Sequence, residues 1–161
     1  MKVEIYSRTK IASLLKSGFP QSCAVISFYS PQRGGISVEG RVDFSGACDR
    51  VFYVMIPDID IEILSDFGYT YETYLKEADA LAEFIYRAKR EGRDIICQCE
   101  YGQSRSAACA AAILQHFEHR GIDIFADYRY YPNQLVYNKI FAALESLGGK
   151  KIRRPQKVAF R

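Results

Sequence analysis

Cys99, Arg105 and Ser106 fall within one eight-residue run, Cys-Glu-Tyr-Gly-Gln-Ser-Arg-Ser. Before it stands the apolar stretch Ile95-Ile96-Cys97, and after it the small-residue stretch Ala107-Ala108-Cys109-Ala110-Ala111-Ala112. That order predicts a short strand, a tight loop and a helix. A loop running into a helix N-terminus aims several backbone N–H groups and the positive helix end at one spot. Such a nest favours a tetrahedral dianion, and it favours the thiolate of a cysteine at its rim. Arg105 can return its planar guanidinium to the same spot and clamp two phosphate oxygens. Gly102 lets the loop turn without a Cβ in the way, and Ser106 is close enough in sequence for its hydroxyl to touch the sulfur. Residues of these types at this spacing point to phosphoryl transfer onto Cys99. Glu100, Tyr101, Gly102, Gln103, Ser104, Arg105 and Ser106 then form the substrate-binding loop.

The run resembles the signature of the cysteine-based protein tyrosine phosphatases, Cys-x5-Arg followed by Ser or Thr. Glu100-Tyr-Gly-Gln-Ser-Arg-Ser-Ala-Ala looks most like the small dual-specificity branch. From Phe52 to Leu144 the chain is similar to a group of small bacterial phosphatases. In that group an Asp-rich loop precedes a helix, and a Tyr-Pro-Asn…Val-Tyr segment, here Tyr131-Pro-Asn133-Gln-Leu-Val136-Tyr137, opens the last one. The first fifty residues match only loosely. Gln98 departs from the pattern, since the family usually carries His just before the nucleophile; the departure removes no group that bonds phosphate. The resemblance implies a phosphomonoester hydrolase acting through a phosphocysteine, with no cofactor and no metal, on a phosphorylated protein or a small phosphomonoester.

Expelling an alkoxide or phenolate needs a proton, and hydrolysing the thiol-phosphate needs a base. One carboxyl group can serve both steps. Three aspartates follow the strand expected over residues 51–56: Asp58, Asp60 and Asp66. Family order places the acid on this loop, and Asp58 is favoured, with Asp60 and Asp66 as alternatives. An aspartate after a strand is also a common turn residue bonding its own backbone. Glu100 is expected to face solvent.

The elements that must position these groups alternate. Strands are expected over residues 3–6, 23–29, 51–56 and 95–99. Ser7 can cap a helix over 8–16 closed by Gly18. Leu75, Ala78, Leu81, Ala82, Ile85 and Ala88 mark one apolar stripe on a helix over 71–90. A further helix should run from the loop to about His119, and Asn133 can cap the last one. Residues 30–35, Ser-Pro-Gln-Arg-Gly-Gly, read as a turn. The expected fold is single-domain α/β: a mostly parallel sheet with helices on both faces and the site at the carboxyl end of a central strand.

At 161 residues, 48% apolar and 25% charged, the chain suits one domain with a core of its own. No stretch is long enough to span a bilayer. Five cysteines, scattered and odd in number, suit a reducing cytoplasm rather than a disulfide framework. Residues 148–161 hold six Lys or Arg and no acid, so a net charge of +3 leaves the domain over residues 1–147 at −3. A basic C-terminal tail of this kind is most often a solvated end, and nucleic acid is not an expected partner. Cys97 and Cys99 with His116 and His119 have the wrong spacing for a zinc site, and both histidines read as surface residues. Cys97, Cys48 or Cys23 is a candidate to trap an oxidised Cys99 as a disulfide. Two rivals stand beside the phosphatase reading. A sulfurtransferase has no need of Arg105 or the acid, and a phosphate-binding module would use the same nest without turnover.

Overall fold

Four parallel strands form one sheet in the order β1-β4-β2-β3, where β1 is Val3–Ser7, β2 Cys23–Tyr29, β3 Val51–Met55 and β4 Asp94–Cys99. The computed structural model describes residues 1–31 and 40–153, and of 151–153 the backbone alone. Most of the turn expected over 30–35 therefore lies outside the described residues, as does the basic segment 154–161. The central strands β2 and β4 are buried along nearly their whole length. Covered on both faces, they read as continuous apolar runs rather than alternating ones.

Period two divides the strand residues between two cores. On one face Val25 and Ile96 pack with Ile11 of α1 (Arg8–Ser17) and with Phe44. On the other, Ala24, Ile26, Ile95, Cys97 and Cys99 meet α2 (Ala78–Arg90), α3 (Arg105–Glu118) and α5 (Gln134–Arg153), while a short α4 (Ile122–Phe125) follows α3. Ser7 caps α1 as expected, its Oγ accepting from the Lys10 N–H at 3.1 Å. Helix α3 is buried from Arg105 through Ile113. Alanine explains it: small side chains let a helix lie close between sheet and neighbour, and a helix buried all round has no polar face to keep.

One expectation about the helices changes. The helix foreseen from residue 71 begins at Ala78, because the chain over 70–77 is held in turns. There the Tyr74 N–H bonds the Thr70 carbonyl, and Leu75 adopts φ +50. A left-handed residue ends a helical turn, and this one buries Tyr74 and Leu75 together under the sheet. At the other end α5 continues through Gly148 and Gly149 to Arg153, into the basic stretch that composition sets apart. A Cβ at Gly148 would lie 2.9 Å from Tyr86 Oη, so glycine admits that ring.

His116 is corrected as well. Its side chain is mostly buried, with Nε2 2.6 Å from Tyr86 Oη and Nδ1 2.6 Å from Glu145. The ring joins α3 to α2 and α5. His119, by contrast, is exposed, and takes the left-handed position that ends α3.

Candidate active site

Strand β4 ends at Cys99 and helix α3 begins at Arg105, so the intervening loop lies at the carboxyl edge of the sheet. Its turn needs Gly102. That residue has φ +67, and a Cβ there would lie 2.6 Å from the Ser7 nitrogen and 2.9 Å from the Tyr6 carbonyl carbon. Backbone cannot yield to such a contact, so β1 presses on the loop only because glycine is present. The Arg8 N–H donating to the Glu100 carbonyl at 3.1 Å closes that side. On the other side Gln103 and Ser104 carbonyls accept from the Tyr131 and Asn133 N–H groups at 2.8 and 3.3 Å. Every flank of the loop is thus tied to an element distant in sequence.

Cys99 is buried, and its sulfur lies 3.0 Å from the Ser106 hydroxyl. Arg105, 4% exposed, turns back under the loop. Its Nη1 donates to the Ile56 carbonyl at 2.8 Å and to Ser30 Oγ at 2.9 Å. Its Nε is buried with no partner among the described residues. A buried guanidinium N–H without an acceptor is costly and rare, and here the missing partner has the character of an anion.

Ser104 supplies the second such feature. It occupies the N-cap position of α3, yet its side chain makes no capping bond. Its hydroxyl donates instead to Asp58 Oδ1 at 2.8 Å. The first N–H groups of α3 are left without the side-chain oxygen that an N-cap serine ordinarily provides. The same Asp58 oxygen accepts from Asn133 Nδ2 at 2.8 Å, and that nitrogen also donates to the Ile59 carbonyl. Asn133 Oδ1 in turn accepts from the Val136 N–H and caps α5, as its type and position predict. One asparagine therefore starts a helix and orients the acidic loop.

Of the three aspartates, Asp58 alone is hydrogen-bonded to the loop among the described residues. Asp60 lies on the groove beside it and makes no side-chain cap bond to the turn it begins. Asp66 sits exposed in a single helical turn, Ser65–Phe67, with no bond to the loop among the described residues. Glu100, Tyr101 and Gln103 point outward, Glu100 within 3.6 Å of Arg8.

Gln98 is buried beside the cysteine on the α1 face. Its Oε1 accepts from Ser27 Oγ at 2.5 Å, and its Nε2 donates to the Cys99 carbonyl at 3.0 Å. Ser27 and Gln98 are register partners across β2 and β4. An amide at this position holds the strand end that carries the thiol, so the absent histidine leaves no gap. Tyr74 adds a support that residue types did not reveal: its phenol, pushed up by burial, donates to the Pro57 carbonyl at 2.8 Å and fixes the chain just before Asp58. Ser30 and Ser27 were equally silent, each an ordinary serine at a strand end or in a strand.

The cysteine pairing expected around Cys99 does not arise for Cys23 and Cys48. Their sulfurs lie 3.9 Å apart at the amino end of β2, where Cys23 is level with Asp94. Cys99 is five residues further along β4, about 16 Å at the rise of a strand. Cys97 does share its face with Cys99, but it is fully buried next to Cys109, whose thiol burial pushes well up.

Neither a family model nor a curated protein matches the chain. Solved structures do. Human DUSP28 superposes with a TM-score of 0.53 at 16% identity, over 92% of this chain and 94% of that one. DUSP15 gives 0.53 at 17%, over 94% and 91%. PTPMT1 in complex with PI(5)P gives 0.53 at 12%, over 93% and 94%. The chain has the dual-specificity phosphatase fold. At these identities the likeness speaks for the fold alone, and what the site does must be argued from its own geometry.

Proposed function

We propose that the protein is a phosphomonoester hydrolase, a protein tyrosine or dual-specificity phosphatase related to the small bacterial group that its Tyr131–Tyr137 segment resembles. The Cys99 thiolate attacks the phosphorus, forming the S–P bond as the P–O bond to the leaving group breaks. Asp58 gives its proton to that oxygen. Ionised, it then takes a proton from the water that attacks phosphocysteine, and inorganic phosphate leaves with the thiolate regenerated. Loop N–H groups and the Arg105 fork hold the equatorial oxygens, where charge spreads in the transition state. The Ser106 hydroxyl, 3.0 Å from sulfur, donates to the thiolate when it departs.

The observation that carries this reading is the Ser104–Asp58 hydrogen bond of 2.8 Å. It brings a carboxylate from 46 residues away to the rim of the cysteine loop. A sulfurtransferase or a pure phosphate-binding module has no use for that group. The orphaned Arg105 Nε supports the anion half of the argument. The test is a single-turnover reaction with an aryl phosphate, quenched in acid, with the phosphorylated peptide identified by mass spectrometry. A phosphate on Cys99 and a burst of phenol equal to enzyme are expected. Turnover with no phosphocysteine would overturn the covalent mechanism, and no turnover with phosphate still bound would overturn the hydrolase in favour of the binding module.

A further inference from the structure

Beside the loop, starting at Ser104 and Asp58, a groove of about 450 Å³ runs outward between residues 58–62 and the 131–135 segment. Three carboxylates line it, those of Asp58, Asp60 and Glu62, and no Lys or Arg does among the described residues. Neither Asp60 nor Glu62 has an ion-pair partner among the described residues. Alongside stand exposed apolar surfaces, Ile61 at 62% and Tyr131 at 73% exposure, with Tyr71 completing the wall. Lys139, which bonds that wall, is committed: its Nζ donates to the Tyr71 carbonyl at 2.7 Å and sits over that ring at 4.6 Å.

Resting on the phosphatase reading, we propose that this groove selects phosphopeptides carrying Lys or Arg next to the phosphorylated residue. On that reading the phosphate sits in the loop between Cys99 and Arg105, which the groove meets at Ser104. From there the neighbouring substrate residue reaches the groove over Ser104, one position before Arg105. A lysine or arginine side chain has two parts that need different surroundings, an apolar stem and a charged head. Ile61 and Tyr131 offer the first, and Asp60 and Glu62 the second. Carboxylates without counter-ions beside exposed apolar surface match no other common side chain as well. The same charge repels a polyanion, so a multiply phosphorylated inositol headgroup is a poor occupant. That sets this chain's groove apart from the ligand named for the PTPMT1 complex, PI(5)P.

The experiment compares two phosphotyrosine peptides identical except for two flanking residues, Lys-Arg in one and Glu-Glu in the other. Wild type should show a ~5- to 10-fold larger kcat/KM for the basic peptide, the size expected of two exposed ion pairs acting together. Asp60→Asn with Glu62→Lys should bring the ratio to about one or below. A ratio between peptides is unmoved by a general loss of activity, so a damaged variant still reports. Equal rates in wild type, or an unchanged ratio in the variant, overturn the proposal, as does faster hydrolysis of a soluble inositol phosphate than of the basic peptide. If no peptide is hydrolysed, the catalytic reading fails by itself. Calorimetric binding of the two peptides to the same protein then decides the groove: a preference for the basic one supports it, and equal affinity overturns it.

Discussion

Two pairs of polar sulfur contacts sit at opposite ends of the same sheet, and they differ in everything but the sulfur. At the carboxyl end Cys99 meets a hydroxyl at 3.0 Å in the loop that leads into a 14-residue helix. At the amino end Cys23 and Cys48 face each other at 3.9 Å, ringed by backbone carbonyls: the Cys48 sulfur lies 3.5 Å from the Cys23 oxygen and 3.4 Å from that of Arg50. Carbonyls accept, and N–H groups donate. An oxyanion would be held at the first end and repelled at the second. In a parallel sheet all strand carboxyl ends and helix N-termini gather on one edge, so topology alone gives one edge an anion nest and leaves the other without one. A cysteine becomes a phosphate acceptor through the backbone around it.

Breaking the contrast at its strongest point should have the largest effect. Cys99→Ser should abolish turnover of an aryl phosphate while vanadate still binds, because a hydroxyl is hardly ionised where a thiol is. Cys48→Ser at the other end should leave kcat/KM within about twofold, as surface-like changes away from special features do. Equal losses in the two variants would end the comparison.

Removing the acid comes next. Asp58→Asn should slow phosphotyrosine hydrolysis by ~10²–10⁴-fold. Activated esters, whose leaving groups hardly need a proton, should lose far less. Should both substrates be equally fast, the assay moves to Asp60→Asn and Asp66→Asn.

Arg105→Lys keeps the charge and loses the fork. A fall of about 100-fold in kcat, or about 2.7 kcal/mol of transition-state stabilisation, is expected. A near-wild-type rate would show that charge alone suffices.

The smallest effect sharpens the other end. The Cys23 thiol donates to Cys48 and holds it down to about 6, while Cys23 is pushed up by the same bond and by burial. Cys48 is therefore the ionised partner above that pH. Its alkylation by iodoacetamide, followed by peptide mass mapping, should fall off as pH drops through about 6. In Cys23→Ala the donor is gone, so the midpoint should move up toward the ordinary thiol range. An unchanged midpoint would mean that the pair does not share a proton.

Much of the site was written in local order. Cys99, Gly102, Arg105 and Ser106 are neighbours in the chain, and a strand–loop–helix passage leaves their relative placement little freedom. Ser7 and Asn133 were legible as helix caps for the same reason, since a cap acts within three residues of itself. The start of α2 was not, because the stripe from Leu75 to Ala88 has helical spacing throughout while Leu75 itself turns left-handed to bury Tyr74. His116 looked like a surface residue because nothing near it in sequence announces Tyr86 and Glu145, 30 and 29 residues away.

What the chain determined by itself is thus the candidate nucleophile, the strand–loop–helix passage around it and the alternation of strands and helices, all set by contacts between residues a few positions apart. Only the tertiary structure decided which aspartate meets the loop, what holds Gln98, and which cysteines pair. Asp58 and Ser104 are 46 residues apart, Asp58 and Asn133 75, and Ser27 and Gln98 71. Contacts of that span form only when helices and strands pack into one sheet edge, and no local spacing records them. Residue type announces what a group can do, and packing selects the partner with which it does it.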